Sequence, residues 1–369
     1  MTTAALFTPF TLGTCTLPNR IAMAPMTRRK SPDRQIPTEA TAAYYARRAA
    51  GGVGLIITEG TRFDPLRRAD TEDVPGLITA EQCDAWRSVI RAVREANPET
   101  KLALQLWHCG RQGLDPVGPS AIPAKSRTGG FKPTPHALSA SELHEIARFF
   151  AEASVRAMET GFHAVEIHGA HTYLLDSFLS PTANQRADEF GGPFENRMRF
   201  PIMCARAVRE AVGPEYPVLF RFSQWKFDPA EPDTFPDPQT LGVFVRALRD
   251  AGVTALHAST GEAVAPVFAD AADQGLAPRP RTLAGWTRAL SGLPTIAVGR
   301  VSVSASMGDD EQVETRDPAT AAALIESGEA DLIAVGRALI ANPDWCRAVK
   351  AGKWRELKPY NKAMLETLA

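Results

Sequence analysis

His168 and His171 stand three apart, with Tyr173 two residues on, in the run Ile167-His168-Gly169-Ala170-His171-Thr172-Tyr173. Two imidazoles at that spacing, just past a strand, can converge on one point and hold one acceptor oxygen between two N–H donors. Metal ligation and plain structural histidines are the competing readings. A metal site wants a third and fourth ligand. Of the nearby carboxylates, Glu166 points to the opposite side of the strand from the adjacent position, and Asp176 follows at a distance. Tyr173 offers a phenol that is protonated at neutral pH and able to act as an acid; its other reading is an aromatic packed at a rim.

A second group is Thr27, Gln105 and Arg221, polar residues at the ends of otherwise apolar runs. Burying such groups without partners costs roughly 1–3 kcal/mol each, so each must meet a ligand, a water or another side chain. A planar heterocycle with carbonyl and imide edges would satisfy all three, and a guanidinium could stabilise negative charge on such a ring. Taken singly, each reads rather as a satisfied structural polar residue than as a ligand group. A third pattern is the pair of strand-end dipeptides Gly299-Arg300 and Gly336-Arg337. Glycine lets backbone N–H groups approach an anion, and arginine can grip a phosphate bidentately, although either dipeptide alone could simply turn the chain.

These residues need elements to position them. Short apolar runs alternate with longer amphipathic segments, the pattern of parallel strands covered by helices. Eight strands are expected: 21–24, 54–58, 101–106, 164–167, 218–222, 255–258, 295–298 and 332–335. Helix starts are signalled by Thr79 with Gln82 and Ser139 with Glu142, which fit capping boxes, and by Asp237-Pro238, Asp317-Pro318 and Asn342-Pro343. Eight units without a compositional break predict an α/β fold: one closed (β/α)8 TIM barrel with extended βα loops, a single domain over 1–369. In such barrels chemistry gathers at the carboxyl ends of strands, and phosphate sites at the loops after strands seven and eight. Three long stretches, 109–138, 169–194 and 224–236, follow strands and are the expected site builders. A fourth, 302–316, carries Asp309, Asp310 and Glu311 and reads as a solvated excursion.

Composition narrows the partners. Lys+Arg 41 against Asp+Glu 42 leaves no basic field for nucleic acid or anionic membrane, so a small molecule or another copy of the chain is expected. The five cysteines are dispersed, without zinc or iron–sulfur spacing, and read as thiols in a reducing compartment. With no leader-like start and no long apolar run, the expectation is a cytoplasmic protein.

Leu6-Phe7, Leu17-Pro18-Asn19-Arg20-Ile21, Ala24-Pro25-Met26-Thr27-Arg28, Gln105-Leu106-Trp107-His108, Ile167-His168-Gly169-Ala170-His171 and the run from Asp188-Glu189-Phe190-Gly191-Gly192 to Glu195-Asn196-Arg197 resemble the Old Yellow Enzyme family, over most of the chain. The resemblance implies noncovalent FMN above the strand ends, reduced by NAD(P)H, and an ene-reductase acting on enones, enals or nitroalkenes. It implies that Pro25, Met26, Thr27, Gly60, Gln105 and Arg221 line the flavin ring, and that Gly299, Arg300, Gly336 and Arg337 hold the phosphate. His168 and His171 would bind the substrate's activating oxygen, Trp107 would line the same space, and Tyr173 would donate the proton. Two departures stand out: His171 where many relatives have Asn, and the run Arg221-Phe222-Ser223-Gln224-Trp225-Lys226, which resembles a less familiar branch. The rival functions are a metal-dependent barrel hydrolase using His168 and His171, and an FMN-binding protein that turns over no alkene.

Overall fold

The computed structural model describes residues 2–66, 71–126, 130–226, 231–268, 280–305 and 312–368. Eight parallel strands close into a barrel in sequence order: β1 Ile21–Met23, β2 Leu55–Ile57, β3 Lys101–Leu106, β4 Ala164–His168, β5 Val218–Ser223, β6 Ala255–Ser259, β7 Thr295–Val298 and β8 Leu332–Val335. All eight expected strands are present, three with the expected bounds. β4, β5 and β6 each run one residue further, so that His168, Ser223 and Ser259 are still in the sheet. That extension matters for function because it fixes the direction of three polar side chains by strand geometry.

The helices α1 Glu39–Ala50, α2 Ala80–Ala96, α3 Ala140–Thr160, α4 Arg199–Val212, α5 Pro238–Asp250, α6 Leu283–Ser291, α7 Ala319–Glu326 and α8 Trp345–Lys350 follow the strands in turn. Thr79 and Ser139 form the expected capping boxes, and Asp237 caps α5 ahead of Pro238. A further box, Thr38 with Thr41, starts α1. Asp317-Pro318 lies one residue outside the expected place: Pro318 is the N-cap of α7, while the Asp317 carboxylate accepts the Ala319 N–H. No helix starts at Asn342-Pro343. The Asn342 side chain instead bonds both the N–H and the C=O of Lys358, and α8 begins after Asp344. Asn342 serves a tertiary contact there, which a local cap signal cannot reveal.

Because side chains alternate along a strand, the barrel interior takes every second residue. Ala22, Leu55, Ala103, Ala164, Leu219, Ala255, Ile296 and Leu332 fill its amino-terminal half, and the hairpin of Phe10–Leu12 and Cys15–Leu17 packs Leu12 and Leu17 against them. The small alanines leave room for that plug. Two residues further along β3, β4, β5 and β6 come Gln105, Glu166, Arg221 and His257, all buried, so the interior turns polar towards the carboxyl end.

Candidate functional site

A cavity of about 410 Å³ opens at the carboxyl end of the barrel, within the range of roughly 300–1,000 Å³ usual for small-molecule sites. Its walls come from seven of the eight strand ends. Pro25, Met26 and Thr27 enter from β1, Gln105 and Trp107 from β3, Arg221 from β5 and Ser259 from β6. His168, His171 and Tyr173 enter from β4, Gly299 and Arg300 from β7, and Gly336 and Arg337 from β8. Gly60, expected at the ring, lies outside the lining: a Cβ there would meet the Trp107 indole at 2.6 Å, so the glycine makes room for Trp107.

The β4 end shows how the histidines are brought together. Gly169 passes so close to β5 that a Cβ would strike the Phe220 ring at 2.4 Å. The chain then turns back through two successive left-handed residues, His171 at φ 60° and Thr172 at φ 63°. Such conformations cost about 1–3 kcal/mol each for non-glycine residues. Two hydrogen bonds hold them: the His171 N–H donates to Ser223 Oγ at 2.9 Å, and the Thr172 N–H to Asp176 Oδ2 at 2.6 Å. The reversal sets the His168 ring 5.5 Å from His171 and 5.1 Å from Tyr173, centroid to centroid, with Trp107 edge-on to Tyr173 at 5.0 Å.

Burial and the Arg221 guanidinium push both histidines well below the usual imidazole pKa, so both rings are neutral at pH 7. The Ala170 N–H donates to His168 Nδ1 at 3.3 Å. A neutral ring that accepts at Nδ1 must carry its proton on Nε2, and His168 is therefore an N–H donor at the cavity wall. His171 Nε2 lies 2.9 Å from Ser259 Oγ, and Arg221 Nη2 donates to the same oxygen at 3.3 Å. Ser259 Oγ thus bridges the two side chains. Ser259 is absent from the expected site because no residue is drawn from the end of the strand expected over 255–258; the strand-end rule applied there names it.

Beneath this layer Gln105 Nε2 donates to Glu166 Oε1 at 2.8 Å, and His257 Nδ1 lies 2.6 Å from Glu166 Oε2. Burial raises the Glu166 pKa, but His257, Arg221 and Gln105 together bring it below the carboxylate norm. His257 is pulled down by burial, so the pair is a carboxylate and a neutral imidazole. Asp176 is paired with Lys226 at 1% and 5% side-chain exposure. Both carboxylates near the histidines are thus committed elsewhere, and among the described residues no group of three His, Cys, Asp or Glu could hold a metal.

At the far end, Gly299 has φ 140° and packs where a Cβ would meet the Thr260 carbonyl oxygen at 2.4 Å. Arg300 pairs with Glu262 at 3.1 Å and Arg316 joins the same carboxylate. Arg337 donates to the Ala305 carbonyl and lies over the Tyr360 ring. The stretch 302–316, read as a solvated excursion, begins inside the site, since Ser302 and Val303 line the cavity; Asp309, Asp310 and Glu311 fall outside the described residues. Trp225, 5.4 Å from His171, and Tyr360 and Leu365 from the C-terminal segment complete the walls. Nothing local in the sequence marks the last two.

FMN is a fit on these observations. Arg221 Nε is buried without a hydrogen-bond partner among the described residues, Gln105 keeps an amide carbonyl for a ring N–H, and the cavity runs from these groups to Arg300 and Arg337, the first beside Gly299, whose backbone tolerates no Cβ.

Comparison with known proteins agrees. A profile of the family described as "NADH:flavin oxidoreductase / NADH oxidase family" matches residues 5–356. An NADH oxidase of Thermoanaerobacter brockii is 34% identical over 96% of this chain, although the chain spans only 52% of that protein's length. An NADPH dehydrogenase of Bacillus cytotoxicus is 32% identical, covering 96% of this chain and 94% of its own, and 12-oxophytodienoate reductase 7 of Oryza sativa subsp. japonica is 34% identical, covering 92% and 86%. The structure of morphinone reductase in complex with tetrahydroNAD superposes with a TM-score of 0.79 at 31% identity, over 98% of this chain and 94% of that one.

Proposed function

The chain belongs to the NADH:flavin oxidoreductase family of Old Yellow Enzyme, and on that premise we propose that it is an FMN-dependent ene-reductase. A single barrel domain over 1–369 takes hydride from NAD(P)H and delivers it to the activated C=C bond of an enone, enal or nitroalkene in the cytoplasm. The observation that carries the reading is the convergence of His168, His171 and Tyr173 on one wall of a cavity whose other walls hold Gln105 and Arg221. Relatives named NADPH dehydrogenase and 12-oxophytodienoate reductase support the same class of chemistry.

Pro25, Met26, Thr27, Gln105 and Arg221 would hold the flavin ring, with Gly60 behind Trp107. Gly299, Arg300, Gly336 and Arg337 would hold the phosphate. When bound, FMN supplies a two-electron carrier that accepts hydride from the nicotinamide and gives it to the alkene's β-carbon. The residues do the rest. His168 donates its Nε2 proton in a hydrogen bond to the substrate's carbonyl or nitro oxygen, and His171, held by Ser259, flanks it. Drawing charge onto that oxygen makes the β-carbon electrophilic. Tyr173 gives its hydroxyl proton to the α-carbon, so that H⁻ and H⁺ add across the double bond. Trp107 and Trp225 wall the space and exclude water.

Stopped-flow spectroscopy on protein loaded with FMN tests this. Tyr173→Phe should leave reduction of the bound flavin by NAD(P)H close to wild type, while slowing its reoxidation by an enone about 10²-fold or more. Equal loss in both half-reactions would remove the acid role. A folded protein that takes up no FMN, or one that takes it up and consumes no NAD(P)H with any enone, enal or nitroalkene, would overturn the function.

A further inference from the structure

We infer that Glu166, braced by His257, is a positioning residue that sets the orientation of the Gln105 amide and through it the grip on the flavin. The inference rests on the FMN reading above.

Glu166 is fully buried inside the barrel and does not reach the cavity. It therefore cannot touch a ligand, and any influence it has must pass through its neighbours. The parallel register puts it directly beside Gln105 on β3, while Arg221 stands beside both His168 and His257. Both carboxylate oxygens are used: Oε1 accepts from Gln105 Nε2 at 2.8 Å and Oε2 meets His257 Nδ1 at 2.6 Å.

An ionised carboxylate only accepts hydrogen bonds, and an amide has one accepting and one donating end. Glu166 therefore forces the NH2 end of Gln105 downward into the barrel, and the carbonyl oxygen is the end left for the cavity that Gln105 lines. A carbonyl at that place selects a ring edge with an N–H and rejects one with only acceptors. Without Glu166 the amide could turn over, and the site would lose its selection between the two. His257 holds the carboxylate from the other side: the pair has no side-chain exposure at all, and His257 Nε2 has no hydrogen-bond partner among the described residues. A residue placed for packing alone would not keep a bare ring nitrogen in the barrel interior, since an apolar side chain would fill that space without penalty. Glu166 also places a negative charge near the Arg221 guanidinium, so its removal leaves the surroundings of the flavin more positive.

Glu166→Leu removes both acceptor and charge, while Glu166→Gln keeps an oxygen for Gln105 and removes the charge. FMN binding, followed by quenching of free-flavin fluorescence, should weaken roughly ten-fold in Glu166→Leu, the worth of one hydrogen bond. It should stay within about three-fold of wild type in Glu166→Gln. The bound flavin's midpoint potential should move to more positive values in both variants. In a Gln105→Ala background Glu166→Leu and Glu166→Gln should bind FMN equally, because the path through the amide is cut and both remove the charge. Unchanged affinity in Glu166→Leu, or weaker binding by Glu166→Leu than by Glu166→Gln in the Gln105→Ala background, would overturn the inference while leaving the FMN reading intact. Wild-type protein that binds no FMN would overturn both. Should Glu166→Leu not fold, the Gln105 side-chain amide protons of the wild-type protein decide: slow solvent exchange with and without FMN is expected, and fast exchange in either state overturns the inference.

Discussion

His168 and His171 are held neutral by their environment. Burial and the nearby Arg221 charge depress both pKa values well below 6.5, whereas in the unfolded chain they titrate near 6.5. Below that pH the unfolded state binds protons that the folded state refuses, so this contribution to stability is complete above about pH 6.5 and declines on acidification towards the folded pKa values. His168→Asn should therefore lose less stability than wild type between pH 7.5 and 5.5 in urea titrations. Across the same range a phenol, bound in place of the substrate's oxygen, should keep its affinity in wild type. Parallel pH slopes for the two proteins, or phenol binding that changes markedly below pH 6.5, would mean that the imidazoles do protonate in the folded state.

At the scale of elements, the loops after β3, β4 and β5 are locked together beside the site by two buried ion pairs. Lys226 on the β5 loop meets Asp176 in the short helix Leu174–Leu179, and Arg111 meets Glu231 at 2.6 Å. Glu231 also accepts from Ser180 and Thr182 on the β4 loop. The first pair supports the left-handed turn, because the same Asp176 carboxylate holds the Thr172 N–H. Lys226→Met leaves that carboxylate buried and uncompensated, and should destabilise the protein by about 3–5 kcal/mol. Adding Asp176→Asn should restore part of the loss. Equilibrium unfolding of the two single variants and the double variant measures the coupling; additive losses would show that the pair contributes nothing to holding the turn.

For the whole molecule, the barrel separates stability from chemistry along its axis. Its amino-terminal end is closed by the hairpin leucines against small interior residues, and its carboxyl end carries the polar layer and the cavity. Leu17, fully buried in the plug, can be altered far from the site. Leu17→Ala should lower unfolding free energy by about 2–5 kcal/mol with FMN affinity and turnover unchanged at ambient temperature. A parallel loss of FMN binding would show that the two ends are mechanically coupled.

The alternation of apolar strands and amphipathic helices determined the barrel, and the strand-end rule then named most of the cavity wall, because both are local or periodic signals that survive without coordinates. The same signals located Gln105 and Arg221 on their strands and His168 just past one. They could not show that Ser259 bridges His171 to Arg221, nor that Glu166 turns from a candidate ligand into the partner of Gln105 and His257, since those contacts join residues between 38 and 91 positions apart. Asn342 failed as a cap for the same reason: its side chain answers to Lys358. Sequence set which residues face inward. Closure of the barrel decided which of them meet, because only the register between neighbouring strands brings distant polar groups within hydrogen-bonding range.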